Sequence, residues 1–191
     1  MELIFATNNQ HKLEEVQALV ENDIVLKSLN DIDCLEDIPE TGVTFEENAS
    51  QKSHYIFERY QLNCFGDDSG LEVDALNGQP GVYSARYGGS RDPEANLQLV
   101  LANLGDSENR SARFRTVISL IIDGAEYFFE GIAEGQLARK KSGTQGFGYD
   151  PIFIPSGFDV TFAEMNAEEK NAISHRAKAM KQLISFLKSR S

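Results

Sequence analysis

The amino-acid sequence predicts an α/β protein with a mixed, curved sheet and helices on both sides of it. Apolar runs typical of buried strands alternate with stretches whose apolar residues recur every three or four positions, which indicates helices. Two long strand-like segments, residues 112–123 and 126–138, meet near an Asp-Gly pair that is typical of a hairpin turn. Because a hairpin interrupts the alternation of strand and helix, we expect a mixed sheet rather than a regular doubly wound one.

The N-terminal third of the chain predicts two strands and two helices. Residues 3–6 and 25–29 are short apolar runs typical of buried strands, and the segment between them has apolar residues at helical spacing. Thr44 and Glu47 form a capping-box pattern after a loop, so a second helix should begin there and run to about Tyr60.

The rest of the chain predicts further strands, the long hairpin and two more helices. Residues 64–66 and 71–76 are short and strand-like, and they flank the acidic segment 67–70. Pro93 follows an aspartate and is expected at the first position of a helix. The last helix should begin near Ser174 and carry apolar residues along one face.

Length and composition indicate a globular protein. A chain of 191 residues is about the size of one domain, and we expect one two-lobed domain over residues 1–191. No apolar run reaches the ~18–20 residues that span a bilayer, and the N-terminus lacks the features of a secretion signal. Cys34 and Cys64 form no CxxC pair, which fits inert thiols in a reducing compartment. We therefore expect a cytoplasmic protein without a membrane partner.

The charge of the chain disfavours a polyanionic partner. Lys and Arg number 18 against 30 Asp and Glu, which gives a formal net charge of −12. A net anion repels nucleic acids, whose nonspecific binding needs a cationic face. A small phosphorylated ligand is compatible with this charge where cations, helix N-termini or a divalent metal are gathered locally.

The polar segment between the first strand and the first helix is a candidate anion site. Backbone N–H groups at the start of a helix can hold a phosphate, and Lys12 adds a positive charge. The GxxxxGK[ST] pattern of a P-loop is absent, and an N-capped turn with a surface lysine is the other interpretation. The residues of this segment are Thr7, Asn8, Asn9, Gln10, His11 and Lys12.

Carboxylates in two segments suggest a hard metal ion. Asp68 directly follows Asp67, and adjacent acidic groups repel one another unless a cation or good donors lie between them. Glu40 precedes the capped helix, and oxygen ligands without nearby His or Cys suit Mg²⁺ or Mn²⁺ rather than zinc. The other interpretation is that the two aspartates are turn residues. For Glu46 and Glu47 we favour a structural role, as charges that match the dipole of a first helical turn.

Residues 143–151 form a glycine-rich segment that could approach a nucleotide base. Three glycines let the backbone come close to a ligand, and Phe147 and Tyr149 offer stacking faces. Asp150 could accept hydrogen bonds from a base edge. The alternative is a hairpin loop in which Phe147 covers the core.

His175 and Arg176 are predicted in the first turn of the last helix. Cations there oppose the helix dipole, which costs stability unless an anion compensates, so the placement suggests a bound ligand. A solvated basic turn is the other interpretation. A serine hydrolase is disfavoured, because Ser69 does not lie in a GxSxG elbow.

Six segments together resemble the inosine triphosphate pyrophosphatase family, and they occur in the family's order over nearly the whole chain. Asn8 stands where this family often has glycine. The segments are FATNNQHK at 5–12, ETGVTFEENA at 40–49, DDSGL at 67–71, PGVYSARY at 80–87, GFGYDP at 146–151 and ISHR at 173–176.

The resemblance implies both a fold and an activity. It implies a two-lobed α/β fold around a central substrate cleft, a homodimer and dependence on Mg²⁺. The implied reaction converts a nucleoside triphosphate and water into the monophosphate and pyrophosphate, with ITP, dITP and XTP preferred. Such an enzyme removes deaminated purine nucleotides before polymerases use them.

The resemblance also implies roles for individual residues. Glu40 and Asp68 match the metal carboxylates, Asp68 also matches the general base, and Lys52 matches a catalytic lysine on the phosphate side. Thr7 to Lys12 match the triphosphate loop. The other positions that match substrate contacts are Ser69, Phe147, Gly148, Tyr149, Asp150, Lys170, His175 and Arg176.

The choice of base poses a separate chemical problem. Hypoxanthine and xanthine carry a 6-oxo group where adenine has an amine, so donors such as His175, Arg176 or backbone N–H groups would favour the oxo form. Two alternatives stay open from the residues: a Maf-like pyrophosphatase with another base preference, and a nucleotide-binding regulator without turnover. A substrate panel with a pyrophosphate readout separates them.

Overall fold

A computed structural model describes residues 1–20 and 24–190, and over these ranges the chain forms six strands and five α-helices. The strands are β1 (Glu2–Phe5), β2 (Val25–Lys27), β3 (Cys64–Val73), β4 (Ser111–Ile122), β5 (Ala125–Leu137) and β6 (Phe153–Pro155). The helices are α1 (Gln10–Gln17), α2 (Phe45–Tyr60), α3 (Pro93–Leu104), α4 (Ala167–Ile173) and α5 (His175–Arg190).

The strands form one mixed sheet in the order β2-β1-β3-β4-β5-β6. β1 runs parallel to both β2 and β3, with Leu3 opposite Leu26 and Phe5 opposite Phe65. β5 and β6 are antiparallel, with Gln136 opposite Ile154. The predicted α/β class with a mixed sheet is therefore confirmed.

Local signals set several element boundaries where the sequence predicts them. The capping box of α2 is complete, because the Thr44 side chain accepts from the Glu47 N–H and the Glu47 carboxylate accepts from the Thr44 N–H. Glu47 thus has the structural role expected of it. β4 and β5 are joined at Asp123 and Gly124, which both adopt positive φ angles of 52° and 77°, the conformation that a tight hairpin turn requires.

The chain divides into two compact units. The first unit contains Met1–Asp68, Thr116–Gly131 and Arg176–Ser191. Its core includes residues of β1, β3, β4, α1, α2 and α5, and the rings of Phe5 and Phe65 stack at 4.5 Å. This packing holds the carboxyl end of β1 beside β3, and α1 begins shortly after that end.

The second unit contains Ser69–Arg115 and Ile132–His175. Its core is aromatic at the centre, with the Phe114 ring 4.7 Å from Phe153 and 6.0 Å from Phe162. Leu97, Val100 and Leu104 on one face of α3 pack into the same core, as their helical spacing predicts.

Three expected boundaries are wrong. The acidic segment 67–70 does not separate two short strands, because β3 continues through it from Cys64 to Val73. The apolar helical spacing of the first helix extends to Leu19 and Val20, but α1 ends at Gln17, and these two partly buried residues pack on the core beyond it. β2 ends at Lys27. Among the described residues, no helix combines the length and apolarity needed to cross a membrane.

Candidate active site

Two adjacent aspartates on β3 are directed to opposite faces of the strand. Side chains alternate along an extended strand, so Phe65 and Asp67 share one face and Cys64, Gly66 and Asp68 share the other. The contacts within the first unit agree, since Phe65 stacks on Phe5 whereas the Cys64 thiol donates to the Ser53 carbonyl of α2. The two aspartate side chains consequently contact different helices, α1 and α5 for Asp67 and α2 for Asp68.

Gly66 lets α2 pack directly on β3 beside Asp68. A Cβ at this position would lie 2.6 Å from the Lys52 Cβ and 2.7 Å from the Ala49 carbonyl oxygen. Such distances are too short for any real side chain, so helix and strand can approach this closely only at a glycine. The close approach brings the Lys52 ammonium to the Asp67 carbonyl oxygen, at 2.8 Å.

Asp67 is buried between two cations from different helices. Its side chain is 1% exposed, and it accepts from the Lys12 Nζ at 2.8 Å and from the Arg176 Nε at 3.3 Å. Arg176 also pairs with Glu15, which lies one turn after Lys12 on α1. A cation in the first turn of a helix needs a neighbouring negative charge, and for Arg176 two carboxylates of the protein, Asp67 and Glu15, supply it.

The pKa values of this group follow from burial and from the neighbouring charges. Burial alone would raise the pKa of Asp67, but Lys12, Arg176 and Lys52 outweigh it and hold that pKa well below its usual range. Burial lowers the pKa of Lys12, and Lys52 and Arg176 lower it further against the attraction of Asp67. The pKa of Arg176 stays raised despite burial, because Asp67 and Glu15 favour its charged form.

On the other face of β3, Asp68 contacts the side chains of two α2 residues, Asn48 and Lys52. The Asn48 amide donates to the Asp68 Oδ2 at 2.9 Å, and the Lys52 Nζ lies 3.8 Å from the Asp68 Oδ1. Lys52 also forms an ion pair with Glu40. Burial raises the pKa of Asp68, although Lys52 and Lys12 oppose this. A carboxylate with a raised pKa is better suited than Asp67 to accept a proton.

These contacts join seven ionisable side chains into one network, which we call the ionic cluster. All seven belong to the first unit. The ionic cluster consists of Lys12, Glu15, Glu40, Lys52, Asp67, Asp68 and Arg176.

Glu40 and Asp68 are the residues of the ionic cluster that could bind a hard cation. Both ion-pair with the ammonium of Lys52, so their carboxylates already share one positive charge. Mg²⁺ is commonly held by one or two carboxylates together with water and substrate phosphates, and this donor set fits that pattern. Within residues 1–20 and 24–190 no group of three or more His, Cys, Asp or Glu side chains could enclose a metal ion. The remaining ligands would have to come from water or substrate.

The side chains of the N-terminal polar segment mainly organise the turn before α1. Asn9 caps the helix by accepting from the Lys12 N–H at 3.2 Å, and Thr7 Oγ1 accepts from the Asn9 N–H at 3.1 Å. Asn8 and Gln10 donate to Asp37 and Glu14, and His11 is exposed. The capped turn and the placement of Lys12 in the ionic cluster therefore coexist, so the two interpretations are compatible.

The glycine-rich segment lies in the second unit, where Asp150 fixes its conformation. The Asp150 Oδ2 accepts from the Phe147 N–H at 2.9 Å and from the buried Lys170 Nζ at 2.7 Å. Lys170 lies 5.1 Å from the centre of the Phe147 ring, within the range of a cation–π contact. Phe147 and Gly148 are both partly exposed, on a turn that these bonds hold in place.

Tyr149, Ser69 and His175 are also placed in the second unit. The Tyr149 hydroxyl donates to the Ser84 carbonyl at 2.7 Å, and burial raises the pKa of that phenol far above its ordinary value. Ser69 is half-buried on β3. The buried His175 ring stacks on Phe114 at 4.7 Å, with an interplanar angle of 11°. His175 belongs to the aromatic core of this unit, while its neighbour Arg176 belongs to the ionic cluster.

Sequence reasoning missed two residues that organise the first unit and named a third without its partners. Asp67 was expected either at a turn or beside a cation, without a specific partner, and Glu15 and Asn48 were not singled out. The spacing of Lys12 and Glu15 places both on one side of α1, which was a usable signal. Asn48 lies four residues before Lys52 on α2 and is 1% exposed, and only the packing of the helix on β3 reveals its partner.

Comparison with known proteins adds to this geometry. The model of the Ham1 family matches residues 3–186. A dITP/XTP pyrophosphatase of Flavobacterium johnsoniae is 52% identical over 188 residues, covering 98% of each chain, and that of Flavobacterium psychrophilum is 51% identical, covering 98% of this chain and 100% of the other. The structure of the Staphylococcus aureus Ham1 protein is 40% identical, with a TM-score of 0.91 over the full length of both chains. The chain belongs to the Ham1 family.

Proposed function

We propose that this protein is a nucleoside triphosphate pyrophosphatase that hydrolyses non-canonical purine nucleotides such as dITP, ITP and XTP. The products are the nucleoside monophosphate and pyrophosphate. Relatives about half identical over nearly the whole chain are named dITP/XTP pyrophosphatases, which supports this activity over a Maf-like enzyme or a non-hydrolysing regulator. Removal of deaminated purines from the nucleotide pool is the role that follows.

The observation that carries the proposal is the ionic cluster. Three largely or fully buried cations and four carboxylates meet in the first unit. Four of these residues, Lys12, Glu40, Lys52 and Asp68, stand at positions that match the phosphate and metal residues of the family. Buried charges on this scale are costly to assemble for stability alone. Perturbed pKa values in such a cluster are typical of functional sites.

Binding of the triphosphate is assigned to the basic residues of the ionic cluster and to the turn before α1. An ammonium has three N–H donors, and Asp67 takes one from Lys12, so Lys12 can also donate to phosphate oxygens. This turn leads into the N-terminus of α1 at Gln10, and a negative charge is stabilised at the N-terminus of a helix. The side chains of Thr7, Asn8, Asn9, Gln10 and His11 are proposed to shape this turn around the phosphates.

Cleavage is assigned to Asp68 with Lys52. Phosphoanhydride hydrolysis requires a water held in line and neutralisation of the charge on the phosphate oxygens. Asp68 is proposed to accept the proton of that water, for which its raised pKa is suitable, and Lys52 to stabilise the charge on the phosphate. Mg²⁺ held by Glu40 and Asp68 would supply further neutralisation; Mn²⁺ suits the same oxygen ligands.

Recognition of the base is assigned to the residues that match the family's nucleotide and base contacts. Phe147 is proposed to stack on the purine, with Gly148, Tyr149 and Asp150 shaping the turn that presents it. Ser69, Lys170, His175 and Arg176 are the remaining proposed substrate contacts. Donors that bind a 6-oxo group would leave the amine of adenine unpaired, which discriminates strongly in a buried site.

The cellular setting of this activity is also a proposal. A homodimer in the cytoplasm that binds neither nucleic acid polymers nor membranes fits the resemblance and the net charge of −12. The prediction of a single domain over residues 1–191 stays a prediction.

Steady-state kinetics on a nucleotide panel tests the proposal. Pyrophosphate release is measured with dITP, ITP, XTP, GTP and ATP, each with Mg²⁺ and with EDTA. We expect kcat/KM to be highest for dITP, ITP and XTP, and activity to disappear in EDTA. Equal rates on ATP and dITP, or tight nucleotide binding without pyrophosphate release, would contradict the proposed function.

A further inference from the structure

Asn48 occupies a position in α2 from which its amide reaches two segments of the first unit at once. Its Nδ2 donates to the Asp68 Oδ2 at 2.9 Å, and its Oδ1 accepts from the Gly42 N–H at 2.8 Å. A buried amide with both ends bonded has one orientation, because reversing it would place two donors against each other at Gly42. The orientation of the amide is thus set by the backbone and transmitted to Asp68.

The contact between Gly42 and α2 is tight, which makes this glycine difficult to replace. A Cβ at Gly42 would lie 2.6 Å from the Glu47 Cβ and 2.8 Å from the Asn48 Oδ1. The backbone that follows Glu40 therefore packs directly on α2. Gln51 fixes Thr41, the residue before Gly42. Its amide accepts from the Thr41 N–H and donates to the Thr41 Oγ1, each at 2.9 Å.

The bond from Asn48 keeps Asp68 out of direct contact with Lys52. An ammonium and a carboxylate in contact lie about 2.7–2.9 Å apart, whereas the Lys52 Nζ is 3.8 Å from the Asp68 Oδ1. Lys52 instead contacts Glu40 and the Asp67 carbonyl. A rotation of the Asp68 carboxylate towards Lys52 would break the bond to Asn48, so the amide holds the carboxylate plane.

We propose that Asn48 is a positioning residue that holds the carboxylate of Asp68 in its working orientation and prevents it from collapsing onto Lys52. This inference rests on the proposed function of Asp68, and it adds a residue that acts only through that carboxylate. Removing a residue that orients a metal-binding carboxylate typically lowers activity or metal affinity by about 10- to 100-fold.

The test compares Asn48→Ala with Asn48→Asp and with the control Gln51→Ala. Asn48→Ala removes both bonds, whereas Asn48→Asp keeps an acceptor for Gly42 at nearly the same volume and replaces the donor to Asp68 by a second carboxylate, which repels it. Gln51 lies on the same helix and contacts the same loop at Thr41. Steady-state kinetics on dITP with Mg²⁺ are measured for all three, together with thermal unfolding and a crystal structure of each Asn48 variant.

For both Asn48 variants we expect kcat to fall about 10- to 100-fold, while the KM for dITP stays within about threefold of the wild type. In Asn48→Ala we expect the Asp68 carboxylate to turn and to approach the Lys52 Nζ to about 2.8 Å. Gln51→Ala should retain kcat within about threefold. If Asn48→Ala does not fold, Asn48→Asp decides the kinetic comparison.

Two results would overturn the proposal: a kcat within about threefold of the wild type in a folded Asn48 variant, or an unmoved Asp68 carboxylate in its crystal structure. A loss of activity with Asp68 unmoved would mean that Asn48 serves the fold alone. Failure of the proposed function gives a different signature, because it would appear in the wild type itself, as equal rates on ATP and dITP or as nucleotide binding without pyrophosphate release. The orientation of Asp68 in the crystal would still decide the role of Asn48.

Discussion

Replacement of Asp67 by Asn should destabilise the protein strongly, whereas the same change at Asp68 should not. The Asp67 carboxylate is 1% exposed and contacts two cations, the largely buried Lys12 at 2.8 Å and the buried Arg176 at 3.3 Å. An amide of the same size keeps the volume but removes the negative charge. Both cations would then lose this counter-charge, and Arg176 would keep its ion pair with Glu15.

The size of the effect follows from the cost of leaving a buried charge uncompensated. Removing one member of a buried ion pair costs about 3–5 kcal/mol. For a chain of this length each kcal/mol lowers Tm by about 2–4 °C, so we expect Asp67→Asn to lower Tm by about 6–20 °C. Asp68 differs because burial raises its pKa, which means that the fold disfavours its charged form. Asp68→Asn should therefore leave Tm unchanged or slightly higher.

Thermal unfolding followed by circular dichroism, with urea unfolding as a second measure, decides between these outcomes. Asp159→Asn is the control, because it makes the same chemical change at an exposed carboxylate of the second unit. A Tm of Asp67→Asn within about 2 °C of the wild type would show that Asp67 does not compensate Lys12 and Arg176. A fall of Tm in Asp68→Asn as large as in Asp67→Asn would refute the distinction between the two aspartates.

Further predictions concern catalysis, packing and thiol chemistry. Asp68→Asn should lower kcat by about 10²- to 10⁴-fold with an unchanged fold, measured by pyrophosphate release; near wild-type turnover would exclude Asp68 as the base. Lys12→Ala should mainly raise KM, and an unchanged KM would remove Lys12 from phosphate binding. Gly66→Ala should cost about 1–3 kcal/mol in urea unfolding, because the new Cβ would push α2 off β3; a neutral change would contradict the close packing. Burial raises the pKa of Cys64 to about 12, so Ellman's reagent should label neither it nor the buried Cys34 until the protein is unfolded; rapid labelling of the native protein would contradict this.

The elements that could be predicted from the sequence are those with local causes. The capping box of α2, the proline at the start of α3 and the Asp-Gly turn between β4 and β5 depend on residues within a few positions of one another. The structure places each of them where the pattern predicts it. The family segments were equally readable, because they are contiguous runs of specific residues.

The continuity of β3 through its acidic segment could not be predicted, because its cause is not local. Two aspartates followed by Ser-Gly have the composition of a turn. They stay in a strand because Asp67 finds partners 55 residues before it and 109 residues after it, at Lys12 and Arg176. Asp68 finds its partner on α2, 20 residues earlier. Patterns of neighbouring residues cannot predict contacts between residues this far apart in the sequence.

The charge balance of the ionic cluster explains why a divalent metal should accompany the substrate. Its four carboxylates outnumber its three cations, so the cluster as a whole does not present an excess of positive charge to a triphosphate. The net charge of −12 on the whole chain adds repulsion at long range. A bare triphosphate would therefore have to compete with Glu40 and Asp67 for lysines that they already bind. A divalent cation at Glu40 and Asp68 reverses this balance by adding two positive charges where carboxylates predominate. On this reasoning the EDTA arm of the nucleotide panel removes binding of the nucleotide as well as its hydrolysis.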